Sequence, residues 1–193
     1  MLGMKDKLYE EVVIAGFGGQ GIILAGKLLA QTAMKAGKEV TYMPSYGAEV
    51  RGGTANCMVV IADELIACPV VGRPNSLIAM NKASLSKFGP RLKKDGLLII
   101  NSSLIDDEPQ VDETIEVVTV PADELAVQLG NKKAANMIIL GAYFQKRGLF
   151  TPKAAASALP AVLAKRYHNT LALNAEALQK GAEHLQNLLH THH

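Results

Sequence analysis

The spacing of apolar and polar positions changes character at Pro121. Before it, short apolar runs alternate with stretches of helical spacing; after it only helical spacing remains. Glu11-Val12-Val13-Ile14-Ala15 is rich in β-branched residues and ends in Gly16-Phe17-Gly18-Gly19-Gln20-Gly21, the signature of a strand entering a tight turn. Behind the turn, Ile22, Ile23, Leu28, Leu29, Ala33 and Met34 recur at roughly helical spacing, and Gly37 supplies a C-terminal stop. Val40-Thr41-Tyr42-Met43 reads as a second strand stopped by Pro44, so the chain opens like the start of a right-handed βαβ crossover.

Ser45 to Gly53 departs from this alternation and reads as a shaped loop, with glycines on both sides of two opposite charges. Thr54 to Ala62 is dominated by β-formers. Asp63-Glu64 separates it from Leu65-Ile66-Ala67-Cys68, which suggests a hairpin and therefore a mixed sheet. Strands near Ser76 to Met80 and Gly96 to Ile100 flank a helical stretch near Lys82 to Lys93, and Ile115 to Val120 makes a further strand. Asp123 to Leu129, Ala134 to Arg147, Pro152 to Arg166 and Asn174 to Leu189 favour helix, punctuated by Gly130, Gly148 and Thr151-Pro152. The pattern predicts an α/β fold with a helical C-terminal third. With no repeat and no linker, one domain is expected over 1–193.

Composition narrows the function classes. A chain of 193 residues can bury a core without disulfides or metals. No apolar run reaches the length of about 20 that crosses a bilayer, and the polar Met1 to Glu11 stretch lacks the apolar region of a signal peptide, so a cytoplasmic location with no membrane partner is expected. The net charge is +2 and the cations lie in ones and twos, as in Lys93-Lys94, which gives no footprint for nucleic acid. Cys57 and Cys68 belong to no Cys-x-x-Cys pair and read as small core hydrophobes; an iron-sulfur cluster normally takes four thiolates. Neither they nor the terminal His190-Thr191-His192-His193 is expected to hold a metal. Asp106-Asp107-Glu108 reads as a solvated turn. Hydrolase and kinase motifs are missing, so no catalytic residue is assigned.

Two segments carry candidate chemistry. Gly16-x-Gly18-x-x-Gly21 satisfies the dinucleotide fingerprint, in which glycines let backbone N–H groups approach a pyrophosphate at a helix N-terminus. The acid that should end the second strand and grip a ribose is missing: Met43-Pro44-Ser45 stands there, and Glu39 precedes the strand. The glycines therefore serve strand–helix packing or another phosphate-bearing or protein ligand; the binding candidates are Gly16, Gly18, Gly19, Gln20 and Gly21. In the second segment Glu49 and Arg51 share a face if extended, flanked by Gly52 and Gly53 on one side and by Ser45 and Tyr46 on the other. These residues either serve a ligand or partner or form a solvated surface pair.

Together, Gly16 to Gly21 and Pro44-Ser45-Tyr46-Gly47-Ala48-Glu49-Val50-Arg51-Gly52-Gly53 resemble the gamma subunit of 2-oxoacid:ferredoxin oxidoreductases. The resemblance continues through Asn136-Met137-Ile138-Ile139-Leu140-Gly141-Ala142 and the Asn174 to Gly181 helix. It implies a three-layer α/β/α sandwich with a mixed, mainly parallel sheet. It also implies a complex that decarboxylates a 2-oxoacid oxidatively, passes electrons to ferredoxin and delivers an acyl group to coenzyme A. Thiamine diphosphate, Mg and the iron-sulfur clusters would belong to the alpha and beta subunits, and to delta where the enzyme has one, with no cofactor on this chain. The two loops would then shape the coenzyme A site and the subunit interface. Glu49-Val50-Arg51-Gly52-Gly53-Thr54 looks more like the 2-oxoglutarate or branched-chain members than the pyruvate members. The related beta subunit of indolepyruvate:ferredoxin oxidoreductase shares the domain type. Two other readings stay open: a free-standing dinucleotide-binding oxidoreductase, and a scaffold whose loops touch only partner subunits.

Overall fold

The computed structural model describes residues 7–46 and 54–191. Strand β1 (Tyr9–Phe17) enters helix α1 (Ile22–Lys35), and Gly37, at φ +74°, ends the helix where the sequence predicts. Then come β2 (Glu39–Tyr46), β3 (Thr54–Ala62), β4 (Ser76–Ala79), α2 (Lys82–Phe88), a 3-10 turn at Gly89–Arg91, β5 (Leu97–Asn101) and β6 (Glu116–Val120). The remainder is helical: α3 (Ala122–Gln128), α4 (Ala135–Arg147), α5 (Pro152–Val162) and α6 (Leu171–Thr191).

The strands are ordered β2-β3-β1-β4-β5-β6. The β1-β4, β4-β5 and β5-β6 pairs are parallel, while β3 runs against both β1 and β2. The sheet is mixed and mainly parallel as expected, but the consecutive antiparallel strands are β2 and β3, not β3 and the Leu65 to Cys68 segment. Leu65 to Cys68 is not a strand. Both sides of β3 are already taken, from Tyr9↔Ala62 to Phe17↔Thr54 on one side and from Glu39↔Ala62 to Tyr46↔Ala55 on the other, so no hydrogen-bonding edge is left for a hairpin partner. Pro44 does not stop β2 either. An edge strand tolerates a residue without an N–H where that position faces away from its neighbour, and β2 is an edge. The crossover from β1 through α1 to β2 therefore joins strands that run parallel but are separated by β3.

Val12 and Ile14 face one layer, Val13 and Ala15 the other, which explains why β1 reads as a continuous apolar run. The first layer holds α1, α3, α4, α5 and α6; the second is thinner, with α2, the 3-10 turn and loop residues such as Val71 and Ile105. In the first layer α4 and α6 cross at backbone distance. A Cβ on Gly141 would stand 1.9 Å from the Leu178 carbonyl oxygen, and one on Gly181 1.8 Å from that of Ile138. The two helical patches that carried part of the resemblance are thus the two halves of one crossing.

The strand end near the start of β1 is closed by charge. Arg147 donates from Nε and Nη2 to the two carboxylate oxygens of buried Glu10, at 2.9 and 2.7 Å, and Ser76 Oγ adds a bond of 2.6 Å. The Tyr143 hydroxyl also reaches Glu10, and burial, aided by that carboxylate, holds its pKa well above the usual tyrosine value. Beside this network Lys93 pairs with Glu11, and Lys38 pairs with Asp63 at 2.7 Å. Cys57 is buried as expected; Cys68 is exposed, because the segment around it is not part of the sheet. No described helix is long and apolar enough to cross a membrane.

Candidate functional site

The opposite end of the sheet gathers the C-termini of β1, β2 and β4 with the start of β3. Gly16 stands opposite Ala55 and Ala55 opposite Tyr46, so the three form a row across the strands. The glycine turn and the connection from Tyr46 to Thr54 therefore spring from adjacent points. Glu49, Arg51, Gly52 and Gly53 lie outside the described residues.

The turn is built to tight tolerances. Gly19 and Gly21 have φ of +98° and +73°, left-handed conformations that favour glycine. Around Gly21 there is no spare room: a Cβ would stand 2.2 Å from Asn136 Nδ2, which donates to the Gly21 carbonyl at 3.0 Å. Gly16 would collide in the same way with Gln20 Oε1 and Ile22 Cδ1, each 2.6 Å away. Gln20 is an internal brace. Its Oε1 accepts from Phe17 N at 2.6 Å and Asn81 Nδ2 at 3.2 Å, and its Nε2 donates to the Met80 carbonyl at 3.3 Å. The bonds to Met80 and Asn81 tie the end of β1 to the end of β4.

Between the turn and Tyr46 lies a cleft of about 480 Å³. Gly18, Gly19 and Gly21 form one lip, Tyr46 the other, and Phe17 and Ile23 make the walls apolar. Lys27, one helical turn beyond Ile23, is exposed at the margin and forms no ion pair among the described residues. The first turn of α1 has neither an acidic residue nor a side-chain cap, so the positive end of the helix is available to an anion or a carboxylate. Beneath it, Tyr42 donates to the Ile23 carbonyl at 3.0 Å, and burial, more than the nearby Cys57 and Tyr46, pushes its pKa upward. Burial likewise pushes the Cys57 thiol up to about 12; it sits where a Cβ on Gly26 would have to go. Tyr42 and Cys57 thus support the start of α1 from behind the cleft, and what the site offers is shape, backbone N–H groups and one cation.

Residues 11–184 match the pyruvate ferredoxin/flavodoxin oxidoreductase family. The chain belongs to this family. It is 38% identical over 156 residues to the 2-oxoglutarate synthase subunit KorC of Methanothermobacter marburgensis, covering 78% of this chain and 84% of that one. It is 39% identical over 130 residues to the ketoisovalerate oxidoreductase subunit VorA of the same organism; the match takes 67% of this chain but spans only about a quarter, 27%, of that relative. Among solved structures, the gamma subunit of a keto/oxoacid ferredoxin oxidoreductase from Geobacter sulfurreducens superposes with a TM-score of 0.77 at 28% identity, covering 92% of this chain and 99% of that one. The 2-oxoglutarate:ferredoxin oxidoreductase of Magnetococcus marinus, with 2-oxoglutarate, coenzyme A and succinyl-CoA bound, superposes with a TM-score of 0.82 at 25% identity, covering 95% of this chain and 32% of that one. The resemblance to gamma subunits read from the two loops holds, and so does the α/β fold it implied.

Within this gamma-type domain the site residues proposed from sequence divide into groups. Gly18, Gly19, Gly21 and Tyr46 share the cleft; Gly16 and Gln20 support the turn without lining it. Ser45 opens onto a groove on the opposite face, with Met43 and Met58. Sequence reasoning missed Asn136, Asn81 and Lys27. Asn81 carries a readable signal, since a polar residue after a buried strand caps α2 by accepting from Ser84 N.

Proposed function

We propose that the chain acts as the gamma subunit of a 2-oxoacid:ferredoxin oxidoreductase, with 2-oxoglutarate as the first-choice substrate, and that the cleft is its face toward coenzyme A and the partner subunits. The observation that carries this reading is the row Gly16, Ala55, Tyr46, which sets an open glycine turn across an apolar cleft from Tyr46, the last described residue before the second loop. Such a cleft suits the pantetheine arm of coenzyme A as substrate, while the helix N-terminus and Lys27 suit its phosphates. Alpha and beta subunits, with delta where present, would carry thiamine diphosphate, Mg and the clusters and pass electrons to ferredoxin. The branched-chain 2-oxoacid reading stands second, because the identity to VorA equals that to KorC within a percentage point.

The geometry counts against a classical nicotinamide site. In that arrangement the acid sits on the strand next to β1, whereas here β3 intervenes and β2 is displaced by two strand spacings, about 10 Å. The deciding experiment assembles the chain with its cognate subunits and measures ferredoxin reduction with 2-oxoglutarate, 2-oxoisovalerate and pyruvate, with and without coenzyme A. Activity that requires this chain and is greatest with 2-oxoglutarate is expected. An assembly equally active without the chain, or saturable micromolar binding of NADH or FAD to the chain alone, would overturn the proposal.

A further inference from the structure

The end of the β2-β3 pair has a second face. Because side chains alternate along a strand, Tyr46 and Ala55 open onto the cleft while Met43, Ser45 and Met58 look the other way. There they border a groove of about 360 Å³, completed by Val70, Phe88, Lys87 and Arg91. Met43 and Val70 are 38% and 55% exposed, so apolar surface is left facing solvent. The Lys87 ammonium and the Arg91 guanidinium lie 5.3 and 5.5 Å from the Phe88 ring centroid. Among the described residues that ring is their only partner and no acid lines the groove. Lys82 on the same helix is different, since Asp106 and Asp107 neutralise it. Lys87 in the last turn of α2 and Arg91 at the end of the 3-10 turn that continues it both suit the negative end of the helix, but neither meets an acid among the described residues.

We infer that this groove is a docking seat for a segment of a partner subunit that presents an acidic residue beside an apolar anchor side chain. The inference rests on the proposed subunit role. Unneutralised lysine and arginine beside exposed apolar side chains are complementary to a carboxylate next to an apolar group, and thioethers adapt their shape to an inserted side chain. The groove and the cleft lie on opposite faces of the same strands, so one partner wrapped over the edge strand β2 would reach both.

The test uses the complex assembled from full-length subunits. Lys87→Glu/Arg91→Glu should lower the affinity of this chain for its partners about tenfold or more and flatten the salt dependence of assembly. The melting temperature of the isolated chain should stay within about 2 °C, because both side chains are exposed. Lys153→Glu/Lys165→Glu, exposed elsewhere, should leave assembly unchanged. Zero-length carbodiimide coupling of the wild-type complex should join Lys87 to an aspartate or glutamate of a partner subunit, which decides the matter even if the double variant fails to fold. Unchanged affinity together with no Lys87 cross-link would overturn the inference. So would normal assembly with weakened coenzyme A binding, which would make the groove a small-anion site. A wild-type chain that assembles with no partner would instead overturn the subunit reading on which the inference stands.

Discussion

The two ends of the sheet are built on opposite plans. At the start of β1, Glu10, Arg147, Ser76 and Tyr143 satisfy one another, and Glu11 and Asp63 are matched by Lys93 and Lys38. At the other end, the polar side chains that are well bonded serve the backbone: Gln20 and Asn136 hold the glycine turn, and Asn81 caps a helix. Among the cations on that side, Lys82 is matched by Asp106 and Asp107, while Lys27, Lys87 and Arg91 have no acid partner among the described residues. One end pairs its charges internally, and the other leaves three cations without an acid among the described residues, beside exposed apolar surface. A polypeptide that only had to be stable would gain by closing both ends. Leaving one open fits a surface completed by something outside the chain.

The sharpest way to break the contrast is to unbalance the closed end. Arg147→Ala leaves the Glu10 carboxylate buried without its bidentate partner, and removing one member of a buried pair costs about 3 to 5 kcal/mol. Arg147 keeps some solvent exposure, so the lower figure of about 3 kcal/mol is expected from urea unfolding of the isolated chain. A loss below about 1 kcal/mol would show that water substitutes for the guanidinium and that this end is less closed than its geometry indicates.

At the open end the same tool should separate two glycines. Gly21→Ala meets both a left-handed backbone and Asn136 at 2.2 Å, and about 2 to 3 kcal/mol is expected. Gly19→Ala meets the strained φ but open space, so only about 1 kcal/mol is expected. Removing the obstacle tests the assignment: Gly21→Ala combined with Asn136→Ala should be less destabilising than the sum of the two single changes. Additive losses would mean that Asn136 does not touch the turn as described.

This division was partly legible in the sequence. The β1 turn was readable because a buried strand running into three spaced glycines has few other meanings, and β4 and β5 because burial on both faces leaves continuous apolar runs. The placement of β3 was not. Leu65-Ile66 mimics a returning strand, yet Leu65 is 87% exposed, and only the pairing of β3 with β1 and β2 shows that no position was vacant. The Asn136 brace was hidden for a different reason. Its partner Gly21 lies 115 residues away, and nothing local marks an asparagine that begins an apolar helix as a support for a distant turn. The groove at Lys87 escaped for a similar reason, since single cations on a helix look solvated until the fold shows that no acid among the described residues stands beside them.

The smallest expected effect on the fold belongs to the residues tied most directly to function. Tyr46 is 68% exposed and its side chain makes no hydrogen bond among the described residues, so Tyr46→Ala should shift the stability of the isolated chain by no more than about 0.5 kcal/mol. Arg51→Ala should behave in the same way if the Glu49 and Arg51 charges read from the sequence form a solvated pair, since such a pair contributes at most about 1 kcal/mol to folding. In the assembled enzyme the order should reverse. Removing a charge-assisted hydrogen bond from a water-poor interface costs about 2 to 5 kcal/mol, so Arg51→Ala should reduce coenzyme A affinity or assembly by more than tenfold while the melting curve of the free chain stays in place. Tyr46→Ala should act on the same quantity, more weakly, because the cleft lip then presents less apolar surface. Measuring assembly, apparent coenzyme A affinity and ferredoxin reduction for Arg51→Ala, Glu49→Ala and Tyr46→Ala separates the outcomes. Weaker assembly with normal coenzyme A affinity makes this end a scaffold for partner subunits, and weaker coenzyme A affinity with normal assembly makes it a substrate face. Wild-type values for all three variants would mean that the open end is merely solvated, and the contrast between the two ends would lose its functional meaning.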